Sequence, residues 1–201
     1  MTADKMYWLD IETTGLDVET DTILEIGFLV TDLELVPLAK THWTIGSQVA
    51  EDVVKRRTER GTDEMRRDAT FVFDMHTESD LWVDVAVSDY TLRQVEAEAA
   101  AWLKEQGIDP KTDPMCGSSV HFDRAFLKHH MPYVERLFHY RNIDISTLKE
   151  LAKRWTPVMF EHQQADLDLV MNTPHHRVFS DVENTVNEAR WYAENFVLVE
   201  A

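Results

Sequence analysis

The sequence predicts an α/β protein with a mixed central sheet flanked by helices. Two patterns point to it: three apolar strand-like runs at the N-terminal end, joined by short polar turns, and then an alternation of short strands and helices. Composition is the third observation. A chain of 201 residues, 44% hydrophobic with six Trp, can fill a sizeable core and is expected to form one domain over 1–201.

The first strand is expected in Tyr7-Trp8-Leu9-Asp10-Ile11-Glu12, punctuated by Thr13-Thr14-Gly15-Leu16. An acidic turn (Asp17 to Asp21) leads to a second strand over Ile23–Asp32 and a third over Leu38–Ile45, the three forming an antiparallel meander. Residues 49–70 are helix-like and hold Lys55, Arg56, Arg57, Arg60, Arg66 and Arg67, six of the 20 basic residues; they form either a solvated face paired with Glu59, Asp63 and Glu64 or a basic rim. The following stretch, Thr70 to Trp82, mixes apolar and polar residues without a clear period. Leu92, Val95, Ala99, Trp102 and Leu103 recur at helical spacing, so Thr91–Gln106 is a helix, with Asp89 as its expected cap. Met115–Ser119 is a short buried strand candidate, and Val120–His130 a helix stopped by Pro132. Phe138–Ile145 is expected as a strand, Ser146–Trp155 as a helix that Pro157 ends, and Ser180–Phe196 as the last helix, packed through Val182, Val186, Ala189, Trp191 and Tyr192.

Charge narrows the function. Twenty Lys+Arg against 37 Asp+Glu leave a net charge of −17. Binding of long nucleic acid is driven by neutralising many phosphates, so the charge disfavours a long duplex or long single strand as the main ligand, while it permits a short, end-bound oligonucleotide. One cysteine, Cys116, excludes an intrachain disulfide and suits a reducing compartment. No apolar run approaches a membrane span and no signal peptide is recognisable, so no membrane association and a cytoplasmic location are expected.

Asp10 and Glu12 lie two apart on the first strand and therefore share a face. Two adjacent carboxylates repel unless a proton or cation lies between them, and an all-oxygen site suits a hard divalent ion. Spacing alone proves little, because Asp-x-Glu occurs four times (from Asp10, Asp17, Asp32 and Asp181). Only the first pair follows an apolar strand and precedes Thr-Thr-Gly. Further along, Asp123 stands on the helix from Val120 and is expected to face outward, and His176 precedes the helix-borne Asp181 by five residues.

Asp10 and Glu12 in Asp-Ile-Glu-Thr-Thr-Gly-Leu, Asp123 on a later helix, and the His-x-x-x-x-Asp pair at 176 and 181 resemble the histidine-type DEDD 3′–5′ exonuclease superfamily. Within it the finer resemblance is to the oligoribonucleases. It is carried by His76-Thr77-Glu78-Ser79, by Cys116-Gly117-Ser118-Ser119, and above all by the run from Phe138 to Trp155. The resemblance implies a ribonuclease H-like fold and two divalent cations, Mg²⁺ or Mn²⁺, held by Asp10, Glu12, Asp123 and Asp181. A two-metal centre can stabilise both the attacking and the leaving oxygen at phosphorus. His176 is then the general base, a task suited to an imidazole, whose intrinsic pKa is ~6.5. The implied reaction removes 5′-mononucleotides from the 3′ end of very short RNA, dinucleotides especially.

The resemblance also implies that Leu16 and His76 pack on the two bases, and that Ser119, Arg141, Ser146 and Thr147 bind the 5′ phosphate. Tyr140 is expected to reach the neighbouring subunit's site in a homodimer. Arg141 suits the phosphate because its fork bonds two oxygens at once, and hydroxyls at a helix start suit it too. Taken alone, each has a plainer reading: Leu16 in the core, His76 as a hydrogen-bonded histidine, Tyr140 as a half-buried aromatic, Ser146 as an ordinary N-cap, and His175 as a rival to His176. Three departures from the family pattern stand out: a longer arginine-bearing stretch before His76, Asp80 where glycine is expected, and His121-Phe122 where the smaller Gly-Gln is expected. Alternatives are a broader DEDD exonuclease on RNA or single-stranded DNA and a catalytically idle acidic binding protein. A zinc protein using His121, His129, His130 and His139 lacks the Cys pairs and hydrolase motif such a site needs.

Overall fold

The computed structural model describes residues 4–47, 50–60, 62–170 and 176–196. Its five-stranded mixed sheet is built from β1 (Met6–Thr13), β2 (Ile23–Thr31), β3 (Pro37–Thr44), β4 (Pro114–Gly117) and β5 (His139–Asp144), in the order β3-β2-β1-β4-β5. β1–β2 and β2–β3 pair antiparallel, as the meander requires, and β4 joins β1 and β5 in parallel. Helices α1 (Ala50–Arg60), α2 (Asp63–Glu78), α3 (Leu81–Val87) and α4 (Leu92–Glu105) lie between β3 and β4. α5 (His121–His130) and α6 (Pro132–Glu135) precede β5; α7 (Ile145–Trp155), α8 (Pro157–Val170) and α9 (Val178–Phe196) follow it.

Period-two alternation along β1 sorts its side chains between two cores. Tyr7, Leu9 and Ile11 enter a cluster with Val95, Leu103, Phe126 and Leu127, the packing faces of α4 and α5. Trp8 enters the opposite cluster with Val182, Val186 and Tyr192 of α9. Asp10 and Glu12 share Trp8's side, so the strand's own geometry aims both carboxylates toward the start of α9. That helix comes close to the sheet because Gly27, paired with Asp10 in the ladder, has no side chain; a Cβ there would lie 2.6 Å from Val178 Cγ2.

Several expectations change in detail. The arginine-rich stretch is two helices rather than one, and α2 continues through the aperiodic segment to Glu78. A third apolar cluster, Leu24 with Val54, Ala69, Val72, Leu81, Trp82 and Val85, seats α1–α3 on β2. Residues 49 and 61 of that stretch lie outside the described residues. The cap of α4 is not Asp89 but Thr91, whose hydroxyl accepts from Gln94 N at 3.3 Å while the Gln94 side chain accepts from Thr91 N at 2.9 Å. This capping box satisfies two terminal groups at once. Pro157 does not merely end α7; it opens α8, where its missing N–H has no helical partner to lose.

Asp80, expected to be glycine, adopts φ 58° and ψ 14°, the left-handed region in which a Cβ is costly. Asp80→Gly is therefore expected to raise stability by up to about 1 kcal/mol, measured as a higher denaturation midpoint.

Candidate active site

The site lies where β1 ends and α9 begins. Ligand oxygens of Asp10, Glu12 and Asp181 all lie within 4.8 Å of one another. Asp123, expected to face outward, instead faces in: it is 4% exposed, and its Oδ1 accepts a hydrogen bond of 3.1 Å from Ile11 N, between the two β1 acids. Its place follows from α5, where Phe126 and Leu127 bury one face and carry Asp123 down with them.

These carboxyls are held far from their ordinary behaviour. Burial, then the charges of Asp123, Glu12, Asp181 and Glu25, push Asp10 well above the usual carboxylate range. Burial and the charges of Asp181, Glu25 and Asp123 do the same to Glu12, against a smaller opposing effect of Arg177. Asp123 is pushed up to about 7, chiefly by burial, although hydrogen bonds from its own backbone and from Ile11 oppose this. Clustered acids that resist ionisation fit a hard divalent cation, because the ion supplies the charge that otherwise only protons supply. The donor set is all oxygen, which suits Mg²⁺ or Mn²⁺.

His176 stands just before α9, half-buried, with φ 44° and its ring centroid 6.5 Å from that of Phe71. His175, the rival in register, lies outside the described residues. Leu16 is 66% exposed on the loop after β1 and lines two cavities. One, of about 220 Å³, is bounded also by Glu12, Thr13, Phe71, Met75 and Phe122; the other, of about 310 Å³, by Asp21, Arg57 and Asp68. Arg57 reaches the acidic turn, pairing with Asp21 and donating to Thr20 O at 3.1 Å, so this arginine of the long stretch braces the Leu16 loop.

His76 is not brought to these cavities. Its ring is wholly buried, its Nε2 donates to Thr13 O at 2.8 Å, and its edge packs on Trp82. No face of it is open to a base in this conformation. The left-handed turn at Asp80 folds α3 back and sets Trp82 against it, an arrangement only the tertiary structure creates. Nδ1 lies 3.9 Å from Glu12 Oε2 without a hydrogen-bond partner, so His76 supports the end of β1 from beneath.

At the other end of the site, Ser119 takes φ 51° and donates its N–H to Asp144 Oδ1 at 2.9 Å and to Ser146 Oγ at 3.1 Å. Ser146 Oγ in turn donates to Asp144 Oδ1 at 2.6 Å. Asp144 thus caps α7 and draws Ser119, Ser146 and Thr147 to one edge. Ser146 and Thr147 line an open cavity of about 370 Å³ together with His121 and Arg154, neither of which sequence reasoning placed there. Arg154, paired with Glu150 one helical turn away, was legible as a surface ion pair but not as a wall of this cavity. Arg141 and Tyr140 are both exposed on the edge strand β5, the guanidinium 5.5 Å from the ring centre and Tyr140 74% exposed.

Comparison with known proteins agrees with this geometry. Residues 7–189 match the family model described as exonuclease, RNase T. An oligoribonuclease of Thiobacillus denitrificans is 36% identical over 198 residues, spanning 97% of this chain and 96% of that protein. One from Xanthomonas oryzae is 39% identical over 194 residues, spanning 95% and 88%. Among solved structures, exonuclease I from Methylocaldum szegediense superposes with a TM-score of 0.59 at 19% identity, over 98% of this chain and 42% of that one. The zinc-bound E. coli ExoI–ssDNA complex gives 0.61 at 14% identity, over 97% and 42%. The chain spans about two fifths of the exonuclease I chains, and this likeness shows the ribonuclease H-like fold. With its family match, its near full-length likeness to proteins of one name and its four acids at one sheet end, the chain belongs to the exonuclease family, in the oligoribonuclease branch of metal-dependent 3′–5′ exonucleases.

Proposed function

We propose that this protein is a single-domain cytoplasmic exoribonuclease that degrades very short oligoribonucleotides, dinucleotides above all, to 5′-mononucleotides. The observation that carries this reading is the meeting of Asp10, Glu12 and Asp181 beside buried Asp123, with His176 at the same helix start. Asp10, Glu12, Asp123 and Asp181 would hold two divalent cations, which when bound supply positive charge to the attacking and leaving oxygens. His176 accepts the proton of the attacking water. The new bond forms from that water oxygen to phosphorus, the bond from phosphorus to the 3′ oxygen breaks, and the leaving 3′ oxygen ends protonated from solvent.

Leu16 divides the two cavities and is suited to separate two stacked bases, while His76 acts through Thr13 rather than by stacking. Ser119, Ser146 and Thr147, drawn together by Asp144, are suited to take a 5′ phosphate with Arg141. Closing the site at that phosphate would favour the shortest chains, in keeping with a net charge of −17 that disfavours long ones. Exposed Tyr140 is suited to meet a second copy in a homodimer.

The test is product release from 5′-labelled RNAs of about two, four, seven and twenty residues, with Mg²⁺ and with EDTA. The expected result is metal-dependent cleavage that is fastest by far on the dinucleotide. Equal rates at all lengths would retain the nuclease and remove the phosphate cap, and no cleavage at any length would leave a binding protein.

A further inference from the structure

We infer that Arg177 is a positioning residue for His176, holding the general base over the acid centre through a clamp on buried Glu25. The inference rests on the reading of His176 as that base. Arg177 Nε lies 3.1 Å from Glu25 Oε2 and Nη2 lies 2.8 Å from Glu25 Oε1, a two-toothed grip on a carboxylate that is 1% exposed. Val178 N donates to the same Glu25 Oε2 at 3.2 Å, so the backbone just after the arginine is tied down as well. Nη2 also donates to Asp84 Oδ2 at 2.7 Å, and Nη1 to Ser79 O at 3.3 Å. One side chain thus joins β2, the end of α2, α3 and the start of α9.

Its neighbours give this clamp a use in the reaction. His176, one residue earlier, sits at φ 44°, a conformation that costs a non-glycine residue on the order of 1–2 kcal/mol and persists only where its surroundings enforce it. The Arg177 carbonyl accepts from Asp181 N at 3.1 Å and from Ser180 Oγ at 2.9 Å, which fixes the first turn of α9 and its metal-site acid. Glu25 stands opposite Glu12 in the β1–β2 ladder, so the clamp sets the base against the strand that carries the acids. A base must be held within hydrogen-bond reach of its water, and a misplacement of about 1 Å can cost 10²-fold. Without the clamp, residue 177 keeps only its carbonyl contacts within the first turn of α9, nothing ties it across to β2 and α3 through its own side chain, and the imidazole loses its fixed direction.

The experiment is a double-mutant cycle on a short RNA substrate with saturating Mg²⁺. Arg177→Gln in the parent is expected to lower kcat by about 10- to 100-fold with KM changed less than about threefold. In the His176→Ala background the same change is expected to lower kcat less than about threefold, because the group it positions is gone. Arg177→Lys, which keeps charge but not the fork, should fall between. A full loss in both backgrounds, or no loss in the parent, overturns the inference. If Arg177→Gln fails to fold, Asp84→Asn decides, since it removes only the half-exposed arm: a kcat loss of about two- to fivefold, absent in the His176→Ala background, supports the clamp, and an unchanged kcat overturns it. A His176→Ala protein as active as the parent would instead remove the assignment of the base itself, a different failure.

Discussion

Asp123→Asn is expected to abolish turnover, a loss of at least about 10³-fold in kcat, while making the metal-free protein more stable at pH 8. The two effects come from one cause. Asp123 is pushed up to about 7 by burial, so its folded pKa lies above the value near 3.9 of an unfolded chain. A group with a raised folded pKa contributes stability that is fully present below the unfolded value and is lost as pH rises through the folded one. Between about pH 4 and pH 7 this group therefore withdraws stability on the order of 2–4 kcal/mol from the metal-free protein. Asparagine keeps an oxygen for Ile11 N and cannot ionise, so the variant should lose this pH dependence. Thermal unfolding in EDTA at pH 5 and pH 8 checks it, the gain being clearly larger at pH 8 than at pH 5. Asp10 and Glu12 are shifted in the same direction, so added Mn²⁺ should stabilise the parent more at pH 8 than at pH 5. A variant less stable than the parent at pH 8 without metal would mean that the buried acid is not a source of strain.

His176→Ala is expected to lower kcat by about 10²–10⁴-fold while leaving substrate affinity nearly unchanged, the usual contribution of a positioned base. The residue precedes α9 and is not one of the clustered acids, so its removal should leave the oxygens of Asp10, Glu12 and Asp181 in place. Single-turnover rates separate this from binding. Tighter or weaker binding with kcat intact would move His176 out of the chemistry and into substrate contact.

Much of the site was legible because its parts follow local rules. A strand turns Asp10 and Glu12 to one face whatever surrounds it, and the spacing from His176 to Asp181 places an imidazole just ahead of a helix. Ser146 at a helix start near Asp144 likewise needs only local geometry. Asp123 was expected to face outward and instead faces β1, because whether a helical acid faces water or a strand depends on which side of α5 the core claims. His76 shows the same limit more strongly: its burial comes from Trp82, which reaches it only after the left-handed turn at Asp80. Glu25 and Arg177 were invisible for another reason. They are 152 positions apart, and an ordinary acid in a strand and an ordinary arginine in a loop carry no sign of each other.

By itself, the sequence determined the strand meander, the helical spacing of the later elements and the family, and it singled out the candidate acids and imidazole. These depend on periodicity, charge and short motifs, which act over a few residues. The tertiary structure alone decided that Asp123 points inward, that His76 supports β1 from below, that Arg57 braces the Leu16 loop, and that Arg177 grips Glu25. Those outcomes depend on which distant surfaces are brought together and dried, and the free energy of a buried charge or a wholly enclosed ring is set by neighbours that only the folded chain supplies.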